Sequence, residues 1–214
     1  MVMQRAKRGK AGAAVASREG RMSLSIEPLT PSLWPAFEEL FGRQGACYGC
    51  WCTHFRLPPA VRRASTKERN KDHIRARIEA GRSPGLLAMD GGTAQGWMQI
   101  GPRGDVPEWN NRGRVSAPLE EDEASDPSVW AISCFFIRGK ARGRGLTHRL
   151  VAGGIEHARG GGARLLEACP IRESRDSRSI GLFVGSARVF EKAGFATVAE
   201  RKAGRPLMRL VLEG

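Results

Sequence analysis

The residues with the clearest capacity for chemistry form a short basic turn, RGKARGRGLT, at positions 138–147. Four of these ten residues are Arg or Lys and three are Gly. Glycine lets the main chain come close to a ligand, and guanidinium groups can make paired hydrogen bonds to phosphate oxygens. The turn therefore predicts an anion-binding site, and a pyrophosphate is the anion that we expect it to hold.

A predicted strand and a predicted helix position this turn. Val129–Ile137 consists of β-branched, aromatic and small residues without charge, which is typical of a strand buried on both faces. A helical pattern follows from 146 to about 159. When a strand, a glycine-rich turn and a helix follow one another, the backbone N–H groups of the turn and the positive end of the helix dipole can point at the same bound anion. The spacing differs from the GxxxxGK(S/T) of nucleotide P-loops and from the GxGxxG of dinucleotide-binding folds, so neither mechanism applies as written.

Two motifs carry a resemblance to a known family. Arg142-x-x-Gly145-x-Thr147 resembles the acyl-CoA motif Q/R-x-x-G-x-G/A of the GNAT superfamily of N-acetyltransferases, with Thr147 where Gly or Ala is usual. Further along, Phe190-Glu-Lys-Ala-Gly-Phe195 resembles YEKxGF, the usual end of the superfamily's fourth helix, and a predicted strand follows it. The motifs stand in the family's order, and the resemblance covers about residues 23–212.

This resemblance implies an α/β (α+β) fold whose mixed central sheet of about six to seven strands is flanked by helices. It also implies acetyl-CoA as cosubstrate, bound where the fourth and fifth strands splay apart. The end of the fourth strand would bind the pantetheine arm, and a strand amide near Phe135 or Phe136 would polarise the thioester carbonyl. The turn would hold the pyrophosphate. The cofactor-binding residues implied are Phe135, Phe136, Ile137, Arg142, Gly143, Arg144, Gly145, Leu146 and Thr147.

The chain departs from the resemblance at the group that would protonate the leaving thiolate. Many GNAT enzymes use a tyrosine of the fourth helix, and the matching residue here is Phe190, which has no proton to give. The thiolate of CoA is a fairly stable leaving group, so water, Cys134 or Ser186 could supply the proton.

Glu167 is the candidate general base. It lies in a predicted strand among apolar neighbours, so we expect partial burial, which favours the protonated form and suits proton transfer through water. The alternative is a structural carboxylate paired with an arginine. His148 and His157 are expected at the surface or facing the phosphates. Since an amine can lose its proton in solvent before it binds, no base is strictly required.

Three thiols and an imidazole lie within eight residues, at Cys47, Cys50, Cys52 and His54. Such ligands suit zinc, but a structural zinc site usually draws on a second, distant pair of ligands. The two later cysteines, Cys134 and Cys169, fall within predicted strands. We therefore predict no metal and expect the cluster to form a thiol-rich wall of the acceptor pocket.

A long polar connection between predicted strands, residues 102–126, concentrates acidic side chains in a basic protein. Two alternatives stay open: a solvated loop, or an electrostatic funnel for a cationic amine. The acids are Glu120, Glu121, Asp122, Glu123 and Asp126.

The composition bounds the domain organisation and the partners. A chain of 214 residues has the length of one domain, and its formal net charge is +13. Residues 1–21 carry six basic side chains against the single acid Glu19, and we predict a basic, disordered N-terminal extension followed by one domain over 22–214. Aromatic residues are not interleaved with the basic ones, so nucleic acid is not expected as a main partner.

Cysteine content and hydropathy bear on the compartment. Five cysteines, an odd number without an apolar signal core, indicate reduced thiols and no disulfides. No apolar stretch reaches the length needed to cross a bilayer. We therefore expect a cytoplasmic protein that does not bind membranes.

Patterns elsewhere predict the remaining elements. An edge strand is expected at 23–29 and a helix from 31 to 41, with a second helix opened by the capping box Ser65-Thr-Lys-Glu68 and closed at Gly81. A hairpin turns at 90–92, a strand spans 163–171, a short helix spans 185–192, and 197–199 pairs with 207–212.

The leading hypothesis is an acetyl-CoA-dependent N-acetyltransferase in which a primary amine of a small molecule or peptide attacks the thioester directly. The first alternative is a non-catalytic acyl-CoA-binding regulator, which Phe190 and the lack of a Glu or His in the fourth strand would favour. The second alternative is a metal-dependent interaction module built on the cysteine cluster. Members of the superfamily often dimerise, so a homodimer is one expected state.

Overall fold

The computed structural model describes residues 24–172 and 183–212. The predicted extension at 1–21 and most of the charged segment that follows Arg172 lie outside these residues. Seven strands form one sheet: β1 (Ser25–Pro28), β2 (Gly85–Asp90), β3 (Thr93–Pro102), β4 (Val129–Ile137), β5 (Leu165–Ala168), β6 (Ala196–Glu200) and β7 (Pro206–Val211). The α-helices of the described residues are α1 (Trp34–Phe41), α2 (Pro59–Ala64), α3 (Lys67–Glu79), α4 (Leu146–Gly160) and α5 (Ala187–Lys192).

The strands lie in the order β1-β2-β3-β4-β5-β7-β6, and the sheet is mixed. β4 and β5 are parallel, and every other neighbouring pair is antiparallel. The connection from β4 to β5 runs through α4, as a parallel pair requires. This architecture confirms the predicted mixed sheet flanked by helices.

The sheet opens between β4 and β5. Their pairing runs from Val129 opposite Leu165 to Ile132 opposite Ala168 and then stops. β4 continues to Ile137 paired only with β3, so its last five residues have no strand on the β5 side. The backbone groups along that edge are available to a ligand, which confirms the predicted splay.

Helices cover the two faces of the sheet. On one face, α4 places Leu150, Val151 and Ala158 against a cluster that contains Met98 and Ile132. On the other face, α1 and α3 bury aromatic and aliphatic side chains against β2 and β3. Gly154 of α4 lies so close to β3 that a Cβ there would be 2.4 Å from Met98 Cε, so the helix sits directly on the sheet. α4 thereby fixes the turn that precedes it.

Several bounds differ from the predictions. α3 begins one residue later than the capping box indicated, because Thr66 rather than Ser65 accepts the N-cap hydrogen bond, from the amide of Arg69 at 3.2 Å. The strand predicted at 163–171 is regular only over Leu165–Ala168. Helix α2 was not predicted.

The connection at 102–126 is not the solvated loop that its composition suggested. It contains three short 3₁₀ helices, Arg103–Asp105, Pro107–Trp109 and Glu121–Ala124. Arg103, Val106 and Trp109 are buried, and the last two pack with Ala131 of β4 and Leu207 of β7, so the connection covers part of the sheet.

Within the described residues, no helix has the length and apolar character that a membrane crossing needs.

Candidate active site

A cleft of about 430 Å³, here called the turn cleft, lies at the splay between β4 and β5. Eight of the nine residues predicted to bind the cofactor line it: Phe135, Phe136, Ile137, Arg142, Gly143, Gly145, Leu146 and Thr147. The ninth, Arg144, is exposed and is not among the lining residues. The opposite wall is formed by Phe183, Gly185, Ser186 and Val189, of which sequence reasoning had singled out only Ser186.

The turn presents unpaired backbone donors to this cleft. Gly143 and Gly145 adopt φ values of 75° and 74°, which favour glycine, and Gly145 is the N-cap of α4. Among the described residues, the amides of residues 143–147 have no hydrogen-bond acceptor. The amide of Arg142 differs, because it donates to the carbonyl of Gly139 at 3.3 Å. Five orphan N–H groups at a helix N-terminus can bind an anion through hydrogen bonds and the helix dipole.

Arg142 adds charge at the rim. Its side chain is exposed, and its Nε donates to the carbonyl of Ile137 at 3.3 Å, which turns the guanidinium back toward the end of β4. His148 also lines the cleft, one residue beyond the predicted set. By contrast, His157 packs edge-on against Trp130 with ring centroids 5.6 Å apart, and burial lowers its pKa. Of the two histidines, only His148 faces the cleft.

Phe190 forms part of the buried support under the turn cleft. Its ring is fully buried and meets Phe135 edge-on, with centroids 6.1 Å apart. A Cβ on Gly185 would lie 3.1 Å from Phe190 and 3.2 Å from Phe135, so the main chain there passes directly over both rings. The position that a tyrosine occupies in related enzymes is therefore apolar and packed.

The two candidate proton donors lie on different sides of β4. Ser186 lines the turn cleft; it is the N-cap of α5, but its hydroxyl makes no capping hydrogen bond. Cys134 lines a second cleft, and its thiol contacts the carbonyl of Phe135 at 3.8 Å. Only Ser186 shares a cleft with the residues predicted to bind the cofactor.

The second cleft, about 460 Å³ in volume and here called the loop cleft, lies on the α1 and α3 side of β4. Its walls come from the segment after α1, from α2 and α3, from the middle of β4 and from the segment before α5. The described lining residues are Cys47, Tyr48, Cys50, His54, Phe55, Arg62, Ser65, Lys67, Asn70, Ser133, Cys134, Phe183 and Val184. Phe183 lines both clefts, so the two spaces meet beside the end of β4.

The segment that bears the cysteine cluster is tightly wound. Ala46, Tyr48, Trp51 and Cys52 all have positive φ, between 43° and 66°, a conformation that costs non-glycine residues free energy and often marks functional sites. Asn70 contributes to its anchoring, because its Nδ2 donates to the carbonyl of Gly49 at 2.8 Å. The loop is thus fixed against α3 despite its strained backbone.

The thiols of this loop serve packing and hydrogen bonding. The indole Nε1 of Trp97 donates to Cys52 Sγ at 2.9 Å, and Cys50 Sγ contacts the carbonyl of Gly45 at 3.8 Å. Burial, reinforced by neighbouring Cys52, raises the pKa of Cys50 to about 11, and burial also raises the pKa of Cys47. Both thiols are therefore protonated at neutral pH. Within the described ranges, no group of three His, Cys, Asp or Glu side chains could hold a metal ion.

Glu167 lies outside both clefts. It is fully buried on β5, where one carboxylate oxygen pairs with the buried guanidinium of Arg103 and the other accepts from Arg209 Nε at 2.8 Å. Arg209 also bonds to Glu123 at 2.8 Å, and Arg103 donates to the carbonyl of Ser116 at 2.6 Å. The geometry favours the structural alternative over the general-base hypothesis, because both oxygens already bind arginine and no described cleft reaches them.

The acidic side chains of the 102–126 connection do not form a funnel into the loop cleft. Glu123 is bound to Arg209, Asp126 pairs with Arg164 at 2.8 Å, and Glu121 pairs with Arg112 at the surface. None of the five acids is among the described residues that line either cleft.

Comparisons with known proteins agree with this geometry. A model of the acetyltransferase (GNAT) family matches residues 50–195. One similar solved structure is that of yncA from Salmonella typhimurium, assigned as an acetyltransferase and solved with its cofactor acetyl-CoA. Its sequence is 18% identical, the match covers 89% of this chain and 94% of that chain, and the TM-score is 0.51. No curated protein matches the chain.

Two further solved structures share the fold. An N-acetyltransferase from Staphylococcus aureus Mu50 is 13% identical over 89% of this chain and 99% of that chain, with a TM-score of 0.51. The ribosomal-protein-alanine N-acetyltransferase from Brucella melitensis is 21% identical over 88% of this chain and 100% of that chain, with a TM-score of 0.50. At such identities these structures establish a shared fold and nothing narrower.

Proposed function

Because the chain belongs to the acetyltransferase (GNAT) family, we propose that it transfers the acetyl group of acetyl-CoA to a primary amine. The observation that carries this proposal is the set of unpaired amides at residues 143–147, which lies directly beside the open edge of β4. A diphosphate accepts hydrogen bonds from such amides, and an extended pantetheine arm can pair with a strand edge. The Salmonella structure, which shares this fold, contains acetyl-CoA as its cofactor.

In this proposal, the two clefts hold the two substrates. The turn cleft holds the coenzyme, with its diphosphate on the amides of 143–147 and its thioester beside Phe135. The loop cleft admits the amine, and both spaces meet at Phe183. The amine, which has lost a proton to solvent, attacks the thioester carbonyl directly. A backbone N–H near Phe135 or Phe136 stabilises the developing oxyanion.

The tetrahedral intermediate then collapses as the C–S bond breaks and the new C–N bond remains. The coenzyme leaves as a thiolate and takes a proton from water, either directly or through Ser186, which regains its own proton from solvent, while the nitrogen releases its extra proton to solvent. Ser186 is the better placed of the two candidate donors because it lines the coenzyme side. A strong acid is not needed, since a thiolate is a fairly stable leaving group.

Titration calorimetry with acetyl-CoA, followed by a thiol-release assay over a panel of amines, tests this proposal. We expect measurable coenzyme affinity and amine-dependent thiol release. Binding without turnover on any amine would instead support the second candidate, a non-catalytic acyl-CoA-binding regulator. That candidate is favoured by one observation, the apolar and fully buried Phe190 where related enzymes have a tyrosine.

A cytoplasmic location, a homodimeric state and the lack of nucleic-acid or metal partners stay predictions from the sequence. Glu167 stays in the proposal only as a group to be tested, because its contacts are those of a structural ion pair.

A further inference from the structure

The loop cleft has an unbalanced charge. Arg62 and Lys67 line it, and no Asp or Glu is among the described lining residues. Among the described residues, Lys67 pairs with its neighbour Glu68 alone, and both side chains are about half exposed or more, so this pair offsets little of the positive potential. The first turn of α3, which contributes Lys67 and Asn70, adds the positive end of a helix dipole.

A backbone carbonyl, and no carboxylate of the described residues, holds Arg62 in place. Its Nη1 donates to the carbonyl of His54 at 2.7 Å, which fixes the guanidinium against the loop that bears the cysteines. Among the described residues it forms no ion pair, so its remaining N–H groups are available to a ligand. A fixed guanidinium of this kind suits a carboxylate, which it can bind through two parallel hydrogen bonds.

Burial and this positive charge both act on the imidazole of His54. Burial, with added repulsion from Arg62 and Arg114, lowers its pKa to about 4. The ring is therefore neutral at neutral pH and can accept a hydrogen bond. A site that disfavours a further positive charge is poorly suited to an acceptor whose only charge is positive.

Asn70 supplies a complementary group. It is 5% exposed, and its Nδ2 is engaged with Gly49, but its Oδ1 has no hydrogen-bond donor among the described residues. A buried oxygen left without a donor costs roughly 1–3 kcal/mol, so a ligand N–H at this point would relieve a real penalty. Asn70 is a lining residue of the loop cleft, so an unpaired acceptor for N–H lies in the wall beside the anion site.

We propose that the acetyl acceptor is a small amine that also carries an oxyanion group, with α-amino acids as the representative class. Arg62 and Lys67 bind the oxyanion, and Asn70 Oδ1 accepts a hydrogen bond from the amino group. This inference rests on the proposed acetyltransferase function. It replaces the idea of an acidic funnel for cationic amines, because the acidic residues of the connection are paired elsewhere.

Thiol release at saturating acetyl-CoA, measured for matched acceptors, tests the inference. Each α-amino acid is compared with its carboxamide, with the amine that lacks the carboxyl group, and with a diamine of similar length. We expect kcat/KM to fall at least about 30-fold from the acid to the carboxamide, since an ion pair to a fixed guanidinium is lost. Equal or faster turnover of the carboxamide or the diamine would overturn the inference and leave the acetyltransferase proposal standing.

Two neighbouring arginines of α2 provide a matched pair of variants. Arg62 lines the loop cleft, whereas Arg63 is exposed and is not among its lining residues. Arg62→Gln should raise the KM for the amino acid about tenfold or more, largely abolish the preference for acid over carboxamide, and leave the Kd for acetyl-CoA unchanged. Arg63→Gln should alter none of these values.

Identical acceptor preferences in the two variants would overturn the assignment of Arg62. Tight coenzyme binding without turnover of any amine would contradict the proposed function itself, and the acceptor inference would fall with it. A misfolded Arg62→Gln variant would also bind acetyl-CoA less tightly. Loss of the preference for acid over carboxamide at an unchanged Kd for acetyl-CoA therefore excludes misfolding as the cause.

Discussion

The two clefts are built in opposite ways. The turn cleft takes most of its walls from one continuous stretch, residues 135–148, and offers backbone amides to its ligand. The loop cleft is assembled from distant segments around residues 47–55, 62–70, 133–134 and 183–184, and offers side chains. Backbone donors at a helix start can hold the same diphosphate in many sequences, whereas side chains from separate segments can change independently. We therefore expect changes in the loop cleft, and not changes in the turn cleft, to alter the choice of acceptor.

The support beneath each cleft differs as well. Under the turn cleft lie the packed rings of Phe135, Phe190 and Phe195. The sheet face that carries the loop cleft continues into a buried ionic network of Arg103, Glu167 and Arg209. We can therefore test the comparison with variants in the network, in each cleft and at His54, the titrating group of the loop cleft.

The largest expected effect follows from Glu167→Gln, which leaves the buried Arg103 without a carboxylate. We expect the free energy of unfolding to fall by about 3 kcal/mol, because removing one partner of a buried ion pair leaves an uncompensated charge. Denaturant unfolding measures this loss. The control Glu121→Gln breaks a pair whose side chains are 81% and 85% exposed, and it should cost well under about 1 kcal/mol.

For the same Glu167→Gln variant, kcat per folded molecule should change little. Unchanged stability together with a kcat reduced about 100-fold or more would instead identify Glu167 as the general base, and the buried network would then belong to the chemistry.

The next largest effect is expected in the turn cleft. Gly145→Glu places a negative charge among the unpaired amides, and we expect the Kd for acetyl-CoA to rise at least about 100-fold, or about 2.7 kcal/mol. Gly162→Glu at the other end of α4 is the matched control, because Gly162 has φ of 76° and, like Gly145, no atom within 4 Å of a built Cβ. Equal losses of affinity in both variants, measured by calorimetry, would attribute the effect to backbone strain and not to the anion site.

The comparison also explains how much the sequence could predict. β4 was predicted with its observed bounds and α4 to within one residue, because apolar patterning, the glycine turn and the helix start lie next to one another. The same continuity explains why eight of nine predicted cofactor residues line the turn cleft. Phe183 and Val189 were missed, since only the tertiary fold brings α5 and the segment before it to that cleft.

The loop cleft could be predicted only in part. Cys47, Cys50 and His54 do line it, as expected of a thiol-rich wall, but Cys52 turns inward to Trp97. Arg62 and Asn70 gave no signal, because an arginine and an asparagine in helical segments are ordinarily surface residues. Glu167 was placed correctly in a buried strand, but its partners Arg103 and Arg209 lie 64 and 42 positions away and no local pattern indicates them.

A smaller effect is expected from the proton donor. Ser186→Ala should lower kcat about tenfold without changing the Kd for acetyl-CoA, a modest loss because a thiolate leaves readily. Cys134→Ala, on the other side of β4, should lower kcat less than about threefold. Steady-state kinetics of both variants test the assignment, and the reverse order of effects would transfer the role to Cys134.

The smallest expected effect concerns pH and distinguishes the loop cleft from the turn cleft. His54 has a pKa of about 4 in the folded protein against an ordinary value of 6.5, mainly because of burial. Between these values the unfolded state binds more protons, so this contribution to stability is present above about pH 6.5 and is lost as pH falls to about 4. We expect it to be about 1 kcal/mol or less, because the ring is partly exposed.

Unfolding free energies of the wild type and of His54→Gln across this pH range measure that contribution. The difference between the two proteins should change as the pH falls, with the wild type losing more stability. A pH-independent difference would show that the imidazole does not titrate as its burial and the neighbouring arginines require.

A crystal structure of the protein with acetyl-CoA tests the central claim most directly. The account predicts that the diphosphate oxygens lie about 3 Å from the amides of residues 143–147 and that the thioester lies at the end of β4, between Phe135 and Ser186. A coenzyme bound at any other surface, or a diphosphate that does not contact those amides, would contradict it.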